Sequence, residues 1–155
     1  MRHHLLLLST LLLAACGGKG SDTSTGGGAA TTSAAGELTP FQVKNGVGPV
    51  TDEVTLGALD KELAEQGEKL FELRCGSCHK LDQRYVGPAL GDVLTRRTPT
   101  YVMNMILAPD TMYTRHPEAR ALLAQYATQM PNLHLTKDEA RSIVEYIREE
   151  AEDHH

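Results

Sequence analysis

The sequence predicts an all-α protein, on three observations. Apolar residues recur at three- and four-residue steps in several separate stretches, capping signals stand at the starts of those stretches, and no alternating apolar run of useful length competes. The first stretch begins near Leu56. There Leu56, Leu59, Leu63, Gly67, Leu70 and Phe71 share one side, with Asp60, Glu62, Glu65, Glu68 and Glu72 largely on the other. A second starts at Thr98-Pro99, an N-cap and first helical position, and continues through Tyr101, Val102, Met105 and Ile106 to a stop at Pro109. Pro117 opens a third, with Ala119, Leu122, Leu123 and Tyr126 on its face and an end near Gln129. The last follows a capping box made by Thr136 and Glu139 and carries Ala140, Ile143, Val144 and Ile147 on one side.

What precedes these helices reads as an export and anchoring device. Arg2, His3 and His4 form a short polar start, and the apolar run Leu5 to Ala15 is too short to span a bilayer as a resident helix, so residues 1–15 read as a secretory signal. The run ends in Leu13-Ala14-Ala15-Cys16, which resembles a bacterial lipobox and implies lipidation at Cys16. An ordinary signal cut nearby, with Cys16 incidental, is the alternative. Residues 16–36 are almost entirely Gly, Ser, Thr and Ala, a composition that cannot bury apolar surface and behaves as a tether with a reach on the order of 25 Å. Residues 37–55 bring Phe41, Val43, Val47, Val50 and Val54 among Pro40, Gly46, Gly48 and Pro49. With no helical period, this stretch is expected to be extended and packed on the surface of the domain that occupies 56–155. That remainder is enough for one small domain.

The five residues Cys75-Gly76-Ser77-Cys78-His79 carry the chemistry. Two thiols flanking two residues, with a histidine next, is the spacing that fixes a haem through two thioethers and supplies an axial imidazole to its iron. The chain has no Trp, two Phe and five Tyr, so one buried haem would supply bulk that its side chains lack. A zinc site using Cys75, Cys78, His116 and His134 is the bland alternative; a dithiol of the thioredoxin kind fits worse, because no βαβ pattern surrounds the motif. For a sixth ligand, Met103 and Met105 fall within a helix and read as packing. Met112 reads as a loop residue after Pro109 and competes with Met130, which precedes Pro131 and leads into the last helix. His116 and His134, both read as solvated loop histidines, or an open position, complete the options.

These features resemble the class I c-type cytochromes. Gly67, Phe71 and Cys75 stand four apart, as in the glycine-aromatic pattern by which the family's first helix crosses its last, and Tyr146 stands where the family has its partner aromatic. Val86-Gly87-Pro88-Ala89-Leu90 is similar to the loop whose proline carbonyl accepts a hydrogen bond from the axial histidine, and Met-Pro before the last helix is how the family presents its methionine. The resemblance covers about Leu56 to Ala151. It implies four to five helices around one covalently bound haem c, with Cys75 and Cys78 as attachment points, His79 and Met130 as iron ligands, and Pro88 behind the histidine. Arg84, Tyr85, Arg96, Arg97 and Tyr101 are candidates to meet the haem propionates.

An iron closed on both sides has no position for a substrate, so the expected function is outer-sphere electron transfer without enzymatic chemistry. The expected protein is a lipid-anchored monomer facing the periplasm, shuttling single electrons between a quinol-oxidising complex and a terminal oxidase or reductase. A haem enzyme or gas sensor in which the methionine is displaced is the alternative. The 15 basic and 20 acidic side chains argue against nucleic acid as a partner; losing Arg2 with the signal leaves 14 against 20, a net charge of −6. Arg74, Lys80, Arg84 and Lys137 cluster in sequence near the motif or the methionine, which implies a haem edge less acidic than the body.

Overall fold

A computed structural model describes residues 36–153, and among these the chain forms seven helices and no strand. They are α1 (Pro40–Asn45), α2 (Lys61–Arg74), α3 (Val93–Arg96), α4 (Pro99–Leu107), α5 (Pro109–Arg115), α6 (Pro117–Tyr126) and α7 (Lys137–Asp153). The signal reading of residues 1–15, lipidation at Cys16 and the tether up to residue 35 lie outside the described residues. The all-α expectation holds, but seven helices replace the four to five expected, because three short ones start at positions read as loops or stops.

The frame is the crossing of α2 and α7. Asp60 caps α2 by accepting the Leu63 amide at 3.0 Å, so Leu56 and Leu59, which share the helical spacing, lie in the irregular approach and not on the helix. At the crossing, Gly67 faces the backbone of α7. A Cβ at this position would collide with the Ser142 carbonyl and come within 2.9 Å of the Tyr146 Cβ. One turn on, the rings of Phe71 and Tyr146 meet at 5.4 Å with planes tilted by 57°, a geometry that adds about 0.5–1.5 kcal/mol beyond burial. Below them Glu145 is fully buried, ion-paired with Arg141 and Arg148, and accepts the Asp60 amide at 3.0 Å. A buried carboxylate is tolerated because those partners replace water. Arg148 also donates to the Gly57 carbonyl at 3.0 Å, so this cluster ties the last helix to the approach of α2. The capping box of α7 forms as its residues predict: Thr136 N–H donates to the Glu139 carboxylate at 2.7 Å and Glu139 N–H to the Thr136 hydroxyl at 3.2 Å, holding that carboxyl below its usual pKa.

Residues 37–55 differ from the extended segment expected. Thr39 and Gln42 cap each other reciprocally and Pro40 takes the first position, so α1 forms over six residues before Gly46 turns the chain. The segment then lies against α4, where Asn45, Val47 and Val50 are buried. Asn104, fully buried on α4, makes the attachment: its amide donates to the Asn45 and Val50 carbonyls, both at 3.0 Å, and its carbonyl accepts the Val50 amide at 2.9 Å. Thr100 accepts the Val54 amide at 2.8 Å, and Thr98 donates to Asn45 at 2.7 Å while also capping α4. Three backbone groups depend on one side chain. Asn104→Ala is therefore expected to cost about 2–4 kcal/mol of unfolding free energy, read by denaturant titration of the haem-loaded protein; a loss under about 0.5 kcal/mol would show that water replaces the amide.

Pro109 ends α4 and at once starts α5, since its missing N–H and fixed φ suit a first helical position. Met112 is thus helical and fully buried beside Tyr101 and Ala119, and its sulfur accepts the Val47 amide at 3.1 Å. His116, read as solvated, is buried at the junction of α5 and α6, donates from Nε2 to the Val43 carbonyl at 3.1 Å, and stands edge-on to Tyr101 at 5.3 Å. The third predicted helix ends at Tyr126, three residues before the expected Gln129, where Ala127 turns left-handed with φ of 53°.

Candidate functional site

The cysteine motif sits where α2 runs out. Cys75 N–H still bonds to the Phe71 carbonyl at 2.8 Å, after which the amides of Cys78 and His79 both donate to the Cys75 carbonyl, at 3.0 and 2.9 Å. This tight turn brings Cys75, Cys78 and His79 to one wall of a cavity. A second loop clips onto the turn. Gly87 N–H bonds to the Cys78 carbonyl at 2.8 Å, Leu90 N–H to Lys80 at 3.0 Å and Gly91 N–H to Leu81 at 2.9 Å. The clip places the Pro88 carbonyl 3.0 Å from His79 Nδ1. With Nδ1–H donating there, Nε2 keeps its lone pair for a metal, and the ring is held in one orientation. Gly87 lies flat against the imidazole, where any Cβ would collide with the ring.

The cavity measures about 380 Å³ and is walled mainly by apolar side chains, among them Leu90, Val102, Ile106, Leu122, Leu133, Ile143 and Ile147. Met130 lines it from the loop between α6 and α7, and Pro131 follows on the same wall. The Met130 amide donates to the Tyr113 hydroxyl at 3.0 Å. Tyr101 lines the cavity too. Its hydroxyl is buried with no well-formed hydrogen bond, although Arg97 stands 5.1 Å over its ring; burial raises the phenol's pKa and Arg97 opposes this. A buried donor without a partner, at the edge of an apolar slot, suits an anionic group on a flat hydrophobic ligand. The thiols, the imidazole, the slot and this orphaned hydroxyl together fit a haem: Cys75 and Cys78 would bond it and Tyr101, Arg96 and Arg97 would meet its acidic edge.

The structure sorts the sequence candidates. Cys75, Cys78, His79, Pro88, Arg96, Arg97, Tyr101 and Met130 line one cavity. Arg84 and Tyr85, expected at the propionates, are outside its lining: Arg84 stacks 4.4 Å over the Tyr126 ring, and Tyr85 is largely exposed with Lys80 5.4 Å above it. Arg74, weighed only for its charge, lines the cavity instead. Met103 packs in the core as expected, but Met105 reaches the cavity, a placement its helical position did not reveal. Met112 is in the separate cluster under α1 and does not line it. Among the described residues, no group of three or more His, Cys, Asp or Glu is assembled to hold a metal, so Cys75, Cys78, His116 and His134 form no zinc site. His134 is exposed, with φ of 54°. Tyr113, Gln125 and Gln129 also line the cavity and were not singled out, since nothing in their spacing separates them from surface residues.

An all-helical domain that presents Cys-x-x-Cys-His on the wall of one apolar slot is built to carry a covalently attached haem. The chain belongs to the cytochrome c family, whose family model, "Cytochrome c", matches residues 64–150. Among solved structures it is similar to a cytochrome c from Rhodothermus marinus, with 45% identity over 74% of this chain and 99% of that one and a TM-score of 0.69. Two structures of an engineered form of the Rhodothermus marinus cytochrome c, Rma TDE, cover the same shares: one at 44% identity and a TM-score of 0.68, and one bound to a carbene intermediate at 45% and 0.66. No curated protein sequence matches the chain. Membership makes this a haem c protein and a one-electron carrier, with Cys75 and Cys78 positioned for attachment. Cytochrome c domains are typically extracytoplasmic. None of the described helices is long and apolar enough to cross a membrane.

Proposed function

We propose that the protein is a membrane-tethered monohaem electron shuttle with His79 and Met130 as axial ligands, passing electrons from a quinol-oxidising complex to a terminal oxidase or reductase. The observation that carries this reading is the placement of both side chains on one cavity, with His79 held by Pro88 and Met130 held by Tyr113. Bound haem supplies reversible one-electron chemistry, favouring the ferrous state when a thioether faces an imidazole. The chain's own part is positional: it keeps the imidazole lone pair aimed inward and excludes water with Ile143, Ile147 and Leu133. The Cys16 anchor and the tether that follows keep the domain near membrane partners while letting it swivel between them.

Two measurements decide it. A pyridine haemochrome spectrum of protein made in cells with cytochrome c maturation should show one covalent haem c per chain. A carbon monoxide titration of the reduced protein should show slow, incomplete binding; rapid saturation would favour the alternative of an enzyme or gas sensor with a displaced methionine. Partner docking has its own expected signature. Arg74 lines the cavity beside the attachment turn and Lys80 is bonded to the Gly76 carbonyl at 2.8 Å, whereas Arg96 and Arg97, also on the lining, are paired with Asp92 and Glu118. Electron transfer to an acidic oxidase surface should slow several-fold between about 0.05 and 0.3 M salt, and a flat salt profile would exclude steering by these cations.

A further inference from the structure

The loop that carries Met130 is tied to the rest of the domain by few hydrogen bonds. From Ala127 to Leu135 no residue is fully buried, although Met130 and Leu135 pack against the main core from partly buried positions. Its two ends are set by the left-handed Ala127 and the Thr136 cap. Beyond the Ala127 amide, which closes α6 on the Leu123 carbonyl, two hydrogen bonds between described residues reach from the loop to the rest of the domain, and both end on α5: Gln129 Nε2 donates to Asp110 at 2.7 Å, and the Met130 amide donates to the Tyr113 hydroxyl at 3.0 Å. Asp110 and Tyr113 are three apart and so share one face of that helix. The first bond is exposed and the second is partly buried at the cavity, which makes Tyr113 the stronger anchor. α5 is fixed as well by buried groups, with the Met112 sulfur accepting the Val47 amide and His116, at the end of the helix, donating to the Val43 carbonyl. The helix thus joins the segment from Val43 to Val47, on which its buried groups rest, to the loop that carries Met130.

We propose that α5 is the latch that keeps the site closed, with Tyr113 the positioning residue that sets how often the Met130 thioether leaves the iron and a small diatomic ligand can enter. The inference rests on the reading of Met130 as a ligand. Tyr113 acts through the backbone amide one residue's length from the thioether, so losing its hydroxyl frees the loop without removing a ligand or emptying the ring's place in the cavity. A hydrogen bond of ordinary net strength corresponds to about five- to ten-fold in the open population.

The test is the rate of carbon monoxide binding to the reduced haem protein, read by stopped flow beside the near-infrared methionine band of the oxidised form. Tyr113→Phe should keep the band at neutral pH and room temperature and raise the binding rate about five- to ten-fold; Gln129→Ala should raise it less. Glu145→Gln serves as the comparison, since it weakens the α2–α7 cluster and touches neither α5 nor the loop, and it should leave the rate near that of the wild type. An unchanged rate in Tyr113→Phe, with the wild-type band present, overturns the latch alone. Equal acceleration in Glu145→Gln also overturns it, because general loosening would then suffice. A wild-type protein with no methionine band overturns the ligation reading itself, which the same spectra reveal before any variant is made.

Discussion

Met130→Ala is expected to abolish the weak near-infrared methionine-to-iron band, lower the reduction potential by on the order of 100 mV, and turn slow carbon monoxide binding into rapid saturation. The size follows from what the thioether does. As a weak donor it stabilises ferrous iron, and alanine in its place leaves water or nothing, neither of which shares that preference. The loop should survive the change, because its attachments to α5 run through the Met130 amide and the Gln129 side chain, not the thioether. Thermal unfolding of the variant should therefore fall only modestly while the spectrum changes outright. A band that persists would move the ligand to Met105, the other thioether on the cavity wall, and not to Met112, which is buried under α1.

The largest loss of stability should come from Gly67→Ala. A single methyl there meets the carbonyl and carbon of Ser142, which are backbone and cannot turn aside as the end of a flexible side chain can. Relief requires α2 and α7 to separate. That would pull the Phe71 and Tyr146 rings apart and strain the Glu145 bond to Asp60. Overpacking of this kind costs about 3 kcal/mol or more, and for a domain of this size the unfolding midpoint should drop by roughly 10–20 °C. Gly57→Ala is the matched comparison: a Cβ there meets nothing within 4 Å, so its midpoint should stay within a few degrees of the wild type. A Gly67→Ala protein as stable as Gly57→Ala would mean that the crossing is looser than its geometry indicates.

The parts of the molecule legible in the sequence are those where local chemistry decides. Thr98-Pro99 and the Thr136–Glu139 box set helix starts by themselves, and the spacing of Cys75, Cys78 and His79 needs no tertiary context to be read. Gly67, Phe71 and Tyr146 are readable through the resemblance to the class I c-type cytochromes, whose pattern puts a glycine and two aromatics at the crossing of the first and last helices. The failures share a different cause. Six residues are too few to show a period, so α1 was hidden between Pro40 and Gly46 although Thr39 and Gln42 already spelled its capping box. Pro109 reads equally as a stop and as a first turn, and the wrong choice left Met112 in a loop. His116, Arg84 and Tyr85 went astray because burial and direction depend on partners distant in sequence, such as Val43 for His116 and Tyr126 for Arg84. Tyr113 and Asp110 carry no signal until the loop they hold is placed against them.

The depth at which Cys75 lies also ties the attachment point to the frame of the domain. The residue is buried at 8% exposure, and that burial pushes its thiol's pKa up to about 11, with a smaller push from Cys78. The contacts that close the domain join distant stretches, with Asp60 at the start of the same helix meeting Glu145 across 85 positions and Val54 meeting Thr100 across 46. A thioether at Cys75 would join the haem to the buried end of the helix that these contacts hold, so that cofactor and frame would come apart only together.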